Sequence, residues 1–371
     1  MADPYYLTAL HRLSCDRTVA AAVLDAAGAT KAHLARIRRV PSGNDVLRLD
    51  TDLGTFFLKA PAKDLEPWPD PREGAAARVA REHAAAECLR SYGLPGPEVV
   101  AADVSGDNPI GRPYLLTRKV EGRPFTTVVG RRARHGWRGP IHAVGAFLAA
   151  VHEIEFDAAG YLVTPDGPVG PTPPAPPRPS HDPAVAQQHA FADLERARPH
   201  LEPSLIADLE QRFGSMNAAT ATSYHPPRLV IGGFHPNHPF LARASEQWSV
   251  VGCIDLEVAS GGRTLDDLVT FAVGLMFRFD AAVPWWEPLF EGYGDEPPLE
   301  LCRLELLASC KYLFGGSRSL PAAYHALMAA PSWATLFRLP RRSNSSSHDR
   351  PETLHTAGAA PTPNARSRTR R

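Results

Sequence analysis

The chain has 371 residues, enough for two or three folded units or for one two-lobed enzyme, and 44% of them are apolar, so a sizeable core is possible. Forty lysines and arginines against forty aspartates and glutamates leave no net charge, which excludes the strongly basic face of a nucleic-acid binder. Five scattered cysteines without a C-x-x-C pair exclude a zinc site and a disulfide framework, and no apolar run approaches the ~18 residues of a membrane span, so a soluble protein of the reducing cytoplasm is expected.

In chain order, the Ala-rich stretch TVAAAVLDAAG (18–28) predicts a helix closed by Gly28. The runs VLRLD (46–50) and TFFLK (55–59), joined by TDLG, predict a hairpin in which Gly54 supplies the tight turn. The turn PSGND (41–45) precedes it. DPREGAAARVAREHAAAECLRSYGLPGP (70–97) predicts a long helix: Asp70 is a good N-cap, Pro71 suits the first helical position, and Gly93 with Pro95 ends it. Val79, Glu82, Ala86 and Leu89 share one face of that helix by their spacing, and a carboxylate on an apolar stripe needs a partner. PEVVAAD (97–103) and PYLLTRKV (113–120) read as strands, and EGRPF (121–125) as a connector. Helices are expected over 138–155, 183–198, 203–219, 264–280 and 298–313, interrupted by a strand-rich patch at 228–254. The fold class is therefore α+β, with a small β-rich N-lobe and a larger, mostly helical C-lobe.

Two segments depart from this pattern. Residues 164–183 hold nine prolines and read as an extended surface insertion. Residues 341–371 are polar and basic, with seven arginines, and read as a disordered tail. The expected organisation is an N-terminal nucleotide-binding lobe at 1–120, a C-terminal helical lobe at 121–338 and the tail at 339–371.

Several residues have the chemistry of a phosphate site. Lys59 ends the second hairpin strand, and a strand lysine held by a helix glutamate, here Glu82, aims an ammonium at nucleotide phosphates in kinase-like folds. Ser42, Gly43 and Asn44 present backbone N–H groups in a turn, where a phosphate can be cradled. The apolar strand SVVGCI runs into Asp255, with Glu257 two residues on. An Asp there is a natural ligand for Mg²⁺, which prefers one or two carboxylates plus phosphate oxygens. His238, in the preceding loop, is a second candidate ligand. Asp266 and Asp267 sit at a helix start, where carboxylates favour the positive dipole end.

The order of GNDVLRLDTDLGTFFLK, REHAAAECLRSYGLPGPEVV, RPYLLTRKVEGRPF, VGAFLAAVHEIEF, LVIGGFHPNHPFLA, CIDLE and FEGYGDEPP resembles the aminoglycoside phosphotransferase family, which includes choline- and fructosamine-kinase-like enzymes with a protein-kinase-like fold. The resemblance covers about residues 35–335, excluding the proline-rich insertion at 164–183. It implies that Lys59 binds ATP phosphates with Glu82 as its helix partner. It implies that Leu115, Leu116 and Thr117 bond the adenine, and that Asp255 holds Mg²⁺. The family's loop H-G-D-x-H-x-x-N reads differently in this chain. Ile231 replaces the first His, Gly232 is kept, Gly233 replaces the catalytic Asp, His235 is kept, and His238 replaces the Asn.

A lost general base is worth about 10²–10⁴ in rate. Three outcomes follow: slow phosphorylation of a hydroxyl with His235 or water taking the proton, a carboxylate acceptor that needs no base, or a nucleotide-binding pseudokinase with a regulatory or scaffolding role. The expected function is an ATP-dependent phosphotransferase acting on a small molecule, with no nucleic-acid or membrane partner. Glu287, Glu291, Asp295 and Glu296 are the nearest candidates for a pocket taking a cationic acceptor, and are equally readable as a solvated face.

Overall fold

The computed structural model describes residues 16–29, 32–61, 74–130, 136–163, 170–171, 187–188, 191–192, 194–195, 198–220, 226–276, 284–299, 332 and 335. The basic tail, the helix expected at 298–313, the Asp70 and Pro71 start signals, and most of 164–198 lie outside the described residues.

Helix α1 (Arg17–Ala26) is capped by Asp16, whose carboxylate accepts the Thr18 N–H at 2.7 Å, and it buries Ala20, Val23 and Leu24. These pack on a five-stranded antiparallel sheet in the order β1-β2-β3-β5-β4, formed by β1 (Leu34–Val40), β2 (Asp45–Thr51), β3 (Gly54–Ala60), β4 (Val99–Asp103) and β5 (Tyr114–Arg118). The hairpin falls where the sequence places it. Strand β1 is not among the predicted elements, because LARIRRV carries three arginines. It is an edge strand, and such charges suit an edge.

Alternation along β3 sorts its side chains. Phe56, Leu58 and Ala60 face α1 and join Leu47, Leu49, Tyr114 and Leu116 in one apolar cluster. Phe57 and Lys59 therefore point to the other face of the sheet. Helix α2 (Ala75–Ser91) starts at an N-cap Gly74 and buries Val79, Glu82, Ala86 and Leu89, the predicted stripe. It ends where Gly93 adopts φ +70° and the Leu94 N–H returns to Leu89 O at 2.8 Å.

The remaining elements are β6 (Arg123–Pro124), α3 (Phe125–Val129), α4 (Arg138–His152), β7 (Gly160–Val163), β8 (Gly170–Pro171), α5 (Pro203–Thr220), β9 (Arg228–Val230), β10 (Pro239–Ala244), β11 (Gln247–Cys253), β12 (Ser260–Gly262), α6 (Leu265–Met276) and α7 (Trp286–Tyr293). They surround a second apolar cluster that includes Ile141, Val144, Leu148, Val151, Phe234, Phe271 and Leu289 and also takes the apolar face of α2. Burial of each large side chain there contributes about 1.5–3 kcal/mol. Strands β10 and β11 form a hairpin, and β12 pairs with both β7 and β9. Together these pairings bring the 231–238 loop and the 254–259 segment side by side. Helix α7 is missed by sequence reasoning because Pro288 and Gly292 lie inside WEPLFEGY.

Gly292 and Gly145 let α4 and α7 touch backbone to backbone: a Cβ at 145 would lie 2.1 Å from Leu289 O. Gly145→Ala is therefore expected to destabilise the protein by about 1–3 kcal/mol, against the usual gain for Gly→Ala in a helix. Gly214→Ala, on α5 with open space around its Cβ, is expected to stabilise by about 0.4–1 kcal/mol. Urea unfolding of both variants checks the opposite signs.

Candidate functional site

The parity of β3 that turns Lys59 away from the α1 core turns it toward α2 and the 254–259 segment. Its ammonium donates to Glu82 Oε2 at 2.8 Å and to Asp255 Oδ1 at 2.6 Å, and lies 3.0 Å from Glu257 Oε2. Three carboxylates from two distant parts of the sequence thus meet on one nitrogen. Lys59 and Glu82 are largely enclosed, with side chains 14% and 8% exposed, whereas Asp255 is 41% exposed, so the cluster opens to solvent at Asp255.

Burial alone would lower the pKa of the Lys59 ammonium. The charges of Asp255, Glu82 and Glu257 outweigh it and hold the group well above its ordinary value. The Lys59 charge depresses the Asp255 carboxyl to about 2. Glu82 moves the other way, to about 7, because burial and the two neighbouring carboxylates outweigh its contact with Lys59. One ammonium faces three carboxylates, an excess of negative charge that suits a cation.

Asp255 sits just past β11 with φ +67°, a left-handed conformation that costs a non-glycine residue about 1 kcal/mol or more. The loop beside it holds it there. The Ile254 N–H donates to His238 O at 3.2 Å, and His238 Nε2 lies 3.4 Å from Asp255 Oδ2. His238 Nδ1 accepts the His235 N–H at 3.4 Å, so the network assigns the imidazole proton to Nε2, facing Asp255. Burial lowers the ring's pKa to about 4 and keeps it neutral. His238, expected from the sequence as a second metal ligand, thus lies beside the expected first one, with Nε2 3.4 Å from Asp255 Oδ2.

The loop's backbone is fixed by a residue read only as a helix-dipole carboxylate. Asp267 is fully buried and accepts the Ile231 N–H at 2.7 Å and the Gly232 N–H at 2.8 Å. His152 Nε2 lies 3.3 Å from the same carboxylate, and His152 Nδ1 is 2.9 Å from Tyr293 Oη. Gly232 has φ +74°, and a Cβ there would lie 2.7 Å from Val258 O. Gly233 also has positive φ, +59°, but a Cβ there would meet only Val258 Cγ2 at 3.9 Å, so the space for a side chain at 233 is open. His235 is exposed. Loss of solvent around its ring still lowers its pKa and favours the neutral imidazole, against the opposing pull of the Asp255 charge.

The turn between β1 and β2 reaches the same cluster. Asn44 Nδ2 donates to Glu257 Oε2 at 2.9 Å, and its N–H donates to Ser42 Oγ at 3.3 Å. Gly43 has nothing near its Cβ direction. Leu115, Leu116 and Thr117 are placed otherwise than expected. They lie mid-strand in β5, laddered to β3 on one side and β4 on the other, so their backbone groups are committed to the sheet. The segment past β5, Val120–Gly122, is the connector to β6.

Glu287, Glu291, Asp295 and Glu296 line a hollow of about 600 Å³ floored by Trp286 and Phe290. None of the residues around Lys59 lines it. Arg138 lies 3.2 Å from Glu287 and 3.8 Å from Glu291, so two of the four carboxylates are paired within the chain. Among the described residues no group of three or more His, Cys, Asp or Glu is arranged to hold a metal through protein ligands alone. Mg²⁺ commonly takes one or two carboxylates and completes its shell with phosphate oxygens and water, and the half-exposed Asp255 fits that demand. Among the described residues no helix is long and apolar enough to cross a membrane. Sequence reasoning missed Glu257 and Asp267 as site residues. For Glu257 the signal was its place two residues after Asp255, and for Asp267 there was none beyond a helix-start carboxylate.

The chain matches the model of the phosphotransferase enzyme family over residues 21–302. Among solved structures it is similar to an aminoglycoside phosphotransferase candidate from Ralstonia eutropha, at 12% identity, with a TM-score of 0.55 over 87% of this chain and 93% of that one. It is also similar to aminoglycoside 2'-phosphotransferase-IIIa, solved as its GDP complex, at 14% identity, with a TM-score of 0.51 over 87% of this chain and 96% of that one. A comparison with curated proteins gives no significant match.

The neutral His238 has a measurable consequence. Its pKa near 4 lies below the ~6.5 of an unfolded chain, so the unfolded state takes up the proton first as pH falls. The stability this residue supports is intact above pH ~6.5 and is lost as pH falls toward about 4. Wild type should lose on the order of 3 kcal/mol more than His238→Gln between pH 7 and pH 4 in urea unfolding. Parallel losses in the two proteins would contradict the assignment.

Proposed function

The chain belongs to the phosphotransferase enzyme family, and from that premise we propose that it transfers a phosphoryl group from ATP to a small molecule, with catalysis weakened by Gly233. The observation that carries this reading is the convergence of Glu82 and Asp255 on the Lys59 ammonium, at 2.8 and 2.6 Å.

In this reading Glu82 holds Lys59 in place, and Lys59 turns from Asp255 toward the nucleotide phosphates. Asp255, already ionised and held near His238, is the carboxylate that would hold Mg²⁺. Magnesium nucleotide, when bound, supplies the phosphoryl group and screens its charge. The turn at Ser42, Gly43 and Asn44 covers the phosphates, and the connector Val120–Gly122 reads the edge of the purine. Asp267 keeps the 231–233 backbone fixed below the acceptor. Transfer depends most on positioning and charge, so these parts sustain it without a strong base. The neutral, exposed His235 is the side chain available to take a proton from a hydroxyl acceptor.

The absence of a carboxylate at 233 favours a second reading, a pseudokinase that binds nucleotide and serves a regulatory or scaffolding role. Gly233→Asp separates the two. The left-handed φ at 233 is tolerated by Asp, and the space is open. With a panel of phosphoryl acceptors and both ATP and GTP as donors, the variant is expected to turn over about a hundredfold faster or more than wild type. No transfer by either protein, with nucleotide still bound, supports the pseudokinase. Failure of wild type to bind either magnesium nucleotide sinks both readings.

A further inference from the structure

Helix α2 carries a second inward-facing charged residue beside Glu82. Arg81 is 3% exposed. Its Nη1 donates to the backbone carbonyl of Glu257 at 2.8 Å, and its guanidinium carbon lies 3.5 Å from the centroid of the Tyr161 ring. Tyr161 is itself buried and pairs in register with Ser260 of β12, just beyond the 254–259 segment. The contacts therefore close a circuit. Lys59 binds Glu82 on α2, the preceding residue on α2, Arg81, grips the Glu257 main chain, and the Glu257 side chain returns to Lys59 at 3.0 Å.

We propose that Arg81 is a positioning residue that ties α2 to the Asp255–Glu257 segment, so that the Lys59–Glu82 pair and the Asp255 carboxylate keep one fixed spacing. A planar guanidinium can stack on a ring and donate at its edge at the same time, which a lysine ammonium cannot do. In this arrangement contacts within the chain dock α2 and set the spacing of the half of the site assigned to phosphates. The connector at 120–122, assigned to the purine in the proposed function, takes no part in the circuit. The proposal rests on the phosphotransferase reading only where it concerns phosphates.

Two variants of the full chain test it, Arg81→Met, which keeps the stem and loses the donors, and Arg81→Lys, which keeps a charge and a donor. Hydrogen exchange reports the docking without nucleotide. Amides of residues 254–262 are expected to exchange at least tenfold faster in Arg81→Met and to an intermediate degree in Arg81→Lys. In calorimetry, Mg·ATP affinity should fall at least tenfold in Arg81→Met, with adenosine affinity unchanged and a partial recovery in Arg81→Lys. Equal loss for adenosine and Mg·ATP would mark a general structural role and overturn the inference, as would unchanged exchange. If Arg81→Met does not fold, Arg81→Lys carries both measurements by the same criteria. If wild type binds no nucleotide, the phosphotransferase reading fails, and the exchange data still decide the role of Arg81.

Discussion

The site depends on one buried ammonium shared among three carboxylates. Lys59 is brought to that position by the two-residue period of β3, Glu82 by the helical period of α2, and Asp255 and Glu257 by the return of the chain past β11. No short-range preference would assemble these four groups, and enclosing them costs solvation that only mutual pairing offsets. Removing the lysine would leave three carboxyl groups crowded without their ammonium, and removing Glu82 would leave Lys59 without its partner on α2. In the proposed function the same imbalance has a use: a site with surplus negative charge beside one ammonium is prepared for a cation and phosphates arriving together. On that reading Lys59 and Asp255 would give up their mutual contact for contacts with the nucleotide complex.

The second constraint is the buried Asp267. By accepting two consecutive N–H groups it fixes the 231–232 backbone in a conformation that Gly232 can adopt and a larger residue cannot, given Val258 O beside it. Gly233 follows on the same fixed turn with room for a side chain. The frame around the missing carboxylate is therefore intact in its backbone, although the residue that would use it is gone. His238 leans the other way in chemistry. A neutral imidazole stands at that position, with Nδ1 accepting the His235 N–H and Nε2 3.4 Å from Asp255 Oδ2.

Much of this was legible in the sequence where a residue's oddity had a single remedy. Glu82 on an apolar stripe demanded a cation, and Lys59 is that cation. The hairpin, the long helix and its Gly93 stop followed from local rules that tertiary contacts left in force. What stayed hidden depended on partners far along the chain. Arginines in β1 disguised an edge strand, and Pro288 with Gly292 disguised α7, whose glycine serves close packing on α4. Leu115 to Thr117 fitted a family pattern by spacing, but position in the sheet decides backbone availability, and spacing does not reveal which strand is central. Glu257 and Asp267 looked like ordinary carboxylates because their partners, Asn44 and the 231–232 amides, are more than thirty residues away.

The most direct test is a crystal structure of the protein with Mn²⁺ and a non-hydrolysable ATP analogue, read by anomalous scattering. The account predicts a metal peak within coordination distance of the Asp255 carboxylate, with the Lys59 ammonium on the phosphates of the same nucleotide and still bonded to Glu82. A nucleotide ordered elsewhere, with Lys59 and Asp255 still closed on one another, would contradict it.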